Sequence, residues 1–414
     1  MSEFLGSEEG RFLTGELEGT GGVIKERPED FVVVEVPLYE PAGSGDHSYV
    51  RFRKRGIPTQ AAVDRLAKAL GVRSRDVGVA GLKDAQAVTE QTVSIEHVPV
   101  ERILGLVLPD MEILSVERHG NKLKTGHLRG NRFVIRIRKV GQGALARAEA
   151  VCSVLLARGV PNFFGEQRFG ARGDTGLLGG ALVSGNARAF LDLFLGGPIE
   201  SDPPECRRAR AAYDEGNVEG AMELWPRHMR DQRAALAALG KRGEERAVEV
   251  VDQRLRRLFV SAFQSTMFND VLAARLGTLD KVMVGDLAQK RDSGGIFLVE
   301  DEAAEAPRAE RFEISPTGPI IGERCRTATG LPGEIESSVL ARYGIHDPRL
   351  LTRAGSVSMP GGRRALRYLP DELQATQSQD QFGPYLELSF IAPSGCYATV
   401  LLNEVMKSSR QRPD

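Results

Sequence analysis

Residues 132–139 read RFVIRIRK. Phe133, Ile135 and Ile137 alternate with Arg132, Arg136 and Arg138, and only Val134 breaks the polar side. A period of two places successive side chains on opposite faces of a strand. One face therefore packs on a core, and the arginine face meets solvent or a ligand. Upstream the stretch continues as HLRGNRFVIRIR (127–138), where Gly130-Asn131 reads locally as a turn.

The same strand signature recurs through the N-terminal part. DFVVVEV (30–36), HSYVRF (47–52), AVTEQTVSI (87–95) and MEILSVE (111–117) are rich in β-branched residues. Between them, TQAAVDRLAKALG (59–71) has helical spacing and ends on a glycine. The middle turns helical, at 144–159, 183–195, 205–217, 219–239 and 243–257. A further helix spans 258–277, with Phe259, Phe263, Met267, Val271 and Leu272 as an apolar stripe. Glycine, proline and acidic residues predict loops around 277–335. Strand character returns in YLELSFIAP (385–393), and SGCYATVLLNEVM (394–406) runs from a turn into an apolar helix. A β-rich start and end around a helix-rich middle predict one domain interrupted by an inserted one.

Composition bounds the function. The 414 residues suffice for two or three domains, and 41% hydrophobic with 27% charged residues is ordinary for a globular protein. No apolar run nears the ~20 residues of a membrane span. MSEFLGSEEGRF has neither a basic n-region nor an apolar h-region. These features predict a cytoplasmic protein. Cys152, Cys206, Cys325 and Cys396 are too far apart for a zinc motif or a compact disulfide framework, so free thiols are expected. No HExxH-like pair is present, so no protein-bound metal is expected.

Net charge is −1, yet charge is segregated along the chain. Arg118 to Lys139 carries eight Lys/Arg and no acid; Arg51 to Arg75 carries eight against Asp64 alone. Such runs can line a basic groove for phosphates or form solvated faces.

Four segments could carry chemistry. In GLKDAQAVTE (81–90), Asp84 follows Lys83 on a turn. It is either an Asx-turn aspartate or a reactive carboxylate kept ionised by a nearby cation. In IKERPEDFVVVEV (24–36), Lys25 is a candidate partner for a carboxylate or phosphate. In the 127–138 stretch, Phe133 is either core or a plate for an unpaired base. PNFFGEQRFGARG (161–173) is a packed hinge or a nucleic-acid contact.

Together these segments resemble the TruD family of pseudouridine synthases. IKERPEDFVVVE, GLKDAQAVTEQ, GHLRGNRFVIRI, VPNFFGEQRFG, SAFQSTMFN and SFIAPSGCYATVLLNEVM occur in the family's order, from position 24 to 406. Ala85-Gln86 departs from the more basic pair that family members often carry after the aspartate. The resemblance implies an α+β fold: a pseudouridine-synthase catalytic domain with a mixed, largely antiparallel sheet flanked by helices, over 1–158 plus 362–414. A helix-rich α/β TRUD domain would be inserted over 159–361. It implies isomerisation of a tRNA uridine, typically uridine 13 in the D arm, with no cofactor and no metal. Asp84 would be the catalytic residue, and Lys25, Asn131, Phe133 and Phe390 would contact substrate or the aspartate. tRNA would be the partner of a monomeric chain.

Overall fold

The structure, a computed structural model, describes residues 12–347 and 351–407. The chain divides into two compact units, one running to Val160 and resuming at Tyr368, the other Pro161–Arg367.

The first unit is built on an eight-stranded sheet. Its strands are β1 (Phe31–Pro37), β2 (His47–Arg55), β3 (Gly78–Val79), β4 (Val88–Glu96), β5 (Met111–His119), β6 (Leu128–Arg138), β7 (Asp371–Asp380) and β8 (Gly383–Pro393). The order is β7-β8-β6-β1-β4-β2-β5, with short β3 paired to β4. β1 runs parallel to β4, with Val32 opposite Val88. The other pairs are antiparallel. The sheet is thus mixed and largely antiparallel, within an α+β fold.

The alternation in β6 works as its sequence demands. Phe133, Ile135 and Ile137 join Phe31, Val33, Leu386, Leu388 and Phe390 in one core. Helix Ala144–Arg158 supplies Ala148, Val151 and Leu155 to it, and helix Ala398–Met406 supplies Leu401, Leu402 and Val405. Each fully buried side chain of this size contributes ~1.5–3 kcal/mol. A second core joins Val50 and Phe52 of β2 and Val93 and Ile95 of β4 to helix Thr59–Leu70. That helix stops at Gly71, whose φ of +69° favours glycine and whose N–H returns to the last turn.

Gly130-Asn131 is not a turn; both residues lie inside β6. The local turn signal loses to strand pairing. A Cβ on Gly130 would sit 2.3 Å from the Ala392 carbonyl oxygen, so the glycine serves close backbone approach. β7, DELQATQSQD, carried no strand pattern because it is an exposed edge strand with little to bury.

In the second unit, helices Thr175–Val183, Ala187–Leu195, Pro204–Asp214, Val218–Leu224, Arg230–Arg242 and Glu244–Glu249 precede the long helix Gln253–Ala274, against which Thr175–Val183 packs. Two expected helices are split. The predicted 183–195 helix breaks at Gly185, and the 219–239 helix at Trp225-Pro226. The stripe from Phe259 to Leu272 is buried throughout. Residues 277–335 are not all loop. They include strands Leu287–Lys290, Ile296–Leu298 and Ile314–Ile320 of a four-stranded sheet, and helices Glu302–Glu310 and Gly330–Ala341. Segments this short show little periodicity.

In the 161–173 segment, Arg168 donates to Ser265 Oγ at 3.2 Å and Arg172 to Asp174 at 2.7 Å. Both arginines are therefore engaged by protein groups. Among the described residues no helix is long and apolar enough to cross a membrane, and all four cysteines are free.

Candidate active site

The site grows from two loops at one end of the sheet. The first, residues 24–30, leads into β1. Lys25 adopts φ +60°, a left-handed conformation that costs a non-glycine residue ~1–2 kcal/mol. The turn that follows, Pro28–Asp30, is pinned from below. Asp30 is buried and receives Arg138 Nη2 at 2.6 Å and Nε at 2.8 Å, while its Oδ2 also accepts the Arg27 N–H at 3.2 Å. This rigid base aims the Lys25 ammonium at Asp84 Oδ2 and lays it 4.4 Å from the Phe31 ring centre.

The second loop, 81–87, precedes β4. Its turn is an Asx-turn, with Gln86 N–H donating to Asp84 Oδ1 at 2.9 Å. Sequence offered this bland reading and the ionised-carboxylate reading as alternatives; both geometries are present in one residue. Lys83 points elsewhere, pairing by charge with Glu35 at 2.7 Å. Its N–H donates to Thr59 Oγ1 at 2.8 Å. Lys54 comes up from beneath, only 1% exposed, and donates to the Asp84 main-chain oxygen at 2.8 Å and to that of Ile57 at 2.7 Å.

These contacts set the charge of the site. Burial alone would raise the Asp84 pKa. The Lys25 hydrogen bond, the Gln86 N–H and the charges of Lys25 and Lys54 outweigh it and hold the carboxyl below its ordinary value. Its side chain is 23% exposed and that of Lys25 20%, so the carboxylate is ionised, clamped and still reachable. Burial pushes Lys54 down to about 8, against the upward pull of Asp84.

A row of aromatics continues from Lys25. Phe31 meets Phe133 edge-on, with centroids 6.2 Å apart. Phe133 stacks on Phe390 at 5.2 Å and 26°. The register explains the stack, since Phe133 and Phe390 are direct partners across β6 and β8. Phe390 is 0% exposed and forms the inner layer, with Phe133 the outer one. Asn131, two residues before Phe133, lies on the same face of β6, and its buried Oδ1 has no hydrogen-bond partner. An unpaired buried acceptor costs ~1–3 kcal/mol, which a ligand N–H would recover. Lys25 and Asp84 are thus in contact, as are Phe133 and Phe390; Phe31 bridges the two pairs. Among the described residues no three His, Cys, Asp or Glu side chains gather as a metal site.

The profile of the family described as tRNA pseudouridine synthase D (TruD) matches residues 9–405. The chain belongs to the TruD family. It is 49% identical to tRNA pseudouridine synthase D of Geobacter metallireducens, covering 98% of this chain and 99% of that one. Against the Geobacter sulfurreducens protein of the same name it is 48% identical over 96% and 97% of the two chains. A crystal structure of a TruD chain from Methanosarcina mazei superposes with a TM-score of 0.83 at 29% identity, over 96% of each chain.

Sequence reasoning missed Phe31 and Lys54 in this TruD chain. Lys54 left a signal. It shares the parity of Val50 and Phe52, so alternation alone puts it on the buried face of β2. The basic runs were misleading in the other direction. Arg53 pairs with Glu90 and Glu112, Arg65 with Asp110, Arg132 with Glu372, and Arg136 with Glu387. Charge segregated in sequence is largely cross-paired in space.

Proposed function

We propose that this chain isomerises a uridine of tRNA to pseudouridine, at position 13 of the D arm, with Asp84 as the catalytic carboxylate and with no cofactor or metal. It acts as a cytoplasmic monomer. The catalytic domain is the unit that runs to Val160 and resumes at Tyr368, a few residues beyond the expected 158 and 362, and Pro161–Arg367 is the inserted domain that helps choose the RNA. The observation that carries the reading is an ionised, partly exposed carboxylate clamped by Lys25 beside an aromatic row.

The chemistry asks for such a group. The N1–C1′ bond of uridine breaks, the uracil turns, and C5 bonds to C1′; C5 loses a proton and N1 gains one. The base must first leave its stack, at a few kcal/mol. Phe133 returns part of that by stacking, with Phe390 as its backing. The Asn131 carbonyl oxygen accepts an N–H from the uracil edge. An Asp84 oxygen then acts on the ribose, as nucleophile at C1′ or as base at C2′. Lys25 keeps that oxygen charged in a partly dry setting.

Asp84→Asn tests this on a tRNA transcript, read by carbodiimide primer extension. Isomerisation disappears while transcript binding survives. Near-normal turnover by the Asn variant would remove Asp84 from the mechanism.

A further inference from the structure

Beyond the aromatic row, the first unit carries an exposed aromatic that the reaction does not use. The β7–β8 hairpin turns through Gln381-Phe382, and Phe382 is 52% exposed at its tip. The Arg27 guanidinium lies over its ring, 3.6 Å from the centre. Phe382 lines an open cavity of about 830 Å³ together with Arg27, Arg55, Arg136 and Arg138 and the carboxylates of Glu26, Glu29 and Asp380.

This pair is built. The Phe382 N–H donates to Asp380 Oδ1 at 2.9 Å. Arg138 grips Asp380 with Nη2 at 2.7 Å while holding buried Asp30 with its other edge. Arg27 in turn donates its N–H to Asp30. Ring and guanidinium thus stand on one shared ion-pair base, Asp30–Arg138–Asp380. The other arginines of the cavity are spoken for, Arg55 by Glu29 at 2.5 Å and Arg136 by Asp380 at 3.5 Å. Among the described residues no carboxylate pairs with the Arg27 guanidinium, which rests on the ring instead.

We propose that Arg27 and Phe382 form a stacking plate for an unpaired nucleobase of the same RNA, a few nucleotides from the target uridine. This rests on the reading of Asp84 as catalytic. Phe382 lies eight residues from Phe390 along β8, roughly 26 Å at the rise of a strand, which is a few nucleotide steps from the uracil on Phe133. Unpaired bases stack on aromatic rings and on guanidinium planes, and the Arg27 charge meets the backbone phosphate. A protein partner would want a wider apolar patch; here one ring stands among charged side chains, with Arg27 the arginine that no carboxylate among the described residues pairs. The plate holds the strand on one side of the flipped uridine and leaves the chemistry to Asp84.

The test measures pseudouridine formation on a tRNA transcript by wild type and Phe382→Ala. Losing one stacked base raises KM roughly 5- to 100-fold, with kcat within twofold and an unchanged thermal melt. Phe382→Tyr restores KM and Phe382→Leu does not. In wild type, an abasic nucleotide at one position within about five of the target gives the same rise, and combining it with Phe382→Ala adds nothing. A Phe382→Ala KM within twofold of wild type overturns the plate, as does a rise that multiplies with abasic substitution at every one of those positions. Wild type that forms no pseudouridine on the transcript overturns the function reading and the plate with it; an active wild type with an indifferent Phe382 overturns the plate alone.

Discussion

Lys25 reaches Asp84 from a backbone held at φ +60°, and the same ammonium lies over the Phe31 ring. Strain at this residue is maintained by the buried Asp30–Arg138 pair five residues on. One lysine therefore couples the carboxylate to the aromatic row.

That coupling has a pH signature. Burial raises the Asp84 pKa, and Lys25 is the main reason it ends below the ordinary value of 3.8. In Lys25→Met, burial is opposed only by Gln86 and the more distant Lys54, so the acid limb of kcat/KM climbs by ~1–3 pH units. The variant keeps measurable turnover near neutrality and loses it near pH 5, where wild type is still active. The linkage has the matching sign. A depressed carboxyl stabilises the fold above 3.8 and loses that contribution as pH falls through the folded value. The variant lacks this acid-side loss in urea melts. Superimposable pH profiles would exclude Lys25 as the group that keeps Asp84 charged.

Lys54 gives an alkaline counterpart. It is buried under the Asp84 loop and bonded to two carbonyls, and burial lowers it to about 8. The unfolded chain keeps this proton up to about 10.5, whereas the folded protein releases it near 8. Between those values unfolding takes up a proton, so stability rises with pH. Lys54→Met flattens that slope in urea melts at pH 7.5 and 9.5. It also frees the Asp84 carbonyl, and a misplaced carboxylate costs about 10- to 100-fold in kcat. Equal slopes in the two proteins would show that Lys54 holds its proton across the window.

Much of this was legible in the sequence, and the losses have physical causes. RFVIRIRK announced a half-buried strand because only one face of β6 meets the core. DELQATQSQD announced little because β7 is an edge strand that buries only Leu373. Asp30 and Arg138 stand 108 positions apart, so the pair beneath the Lys25 turn has no local signature. Gly130-Asn131 shows the converse error, a strong local turn signal overridden by a neighbouring strand. The motifs name Asp84, Lys25, Asn131, Phe133 and Phe390, and Lys25 as a partner for the aspartate; the stack of Phe133 on Phe390 comes only from the pairing of β6 with β8.

The stacked phenylalanines separate binding from support. Phe133 is the outer ring and Phe390 the fully buried one, so equal truncations should read differently. Phe390→Ala opens a cavity behind the row and costs ~3–5 kcal/mol of stability. Leucine at either position keeps most of the volume and the fold, which makes the two Leu variants the informative pair. Phe133→Leu removes the plate that meets the extruded uracil, and kcat/KM falls roughly 5- to 100-fold, from stacking worth ~1–3 kcal/mol. Phe390→Leu leaves Phe133 in place and lowers kcat/KM only about threefold or less, since a supporting ring shifts its neighbour without touching the base. Thermal melts establish that the two variants are comparably folded before turnover is compared. If Phe390→Leu proved as damaging as Phe133→Leu at equal stability, the uracil would have to reach the inner ring, and the layered order of the site would be wrong.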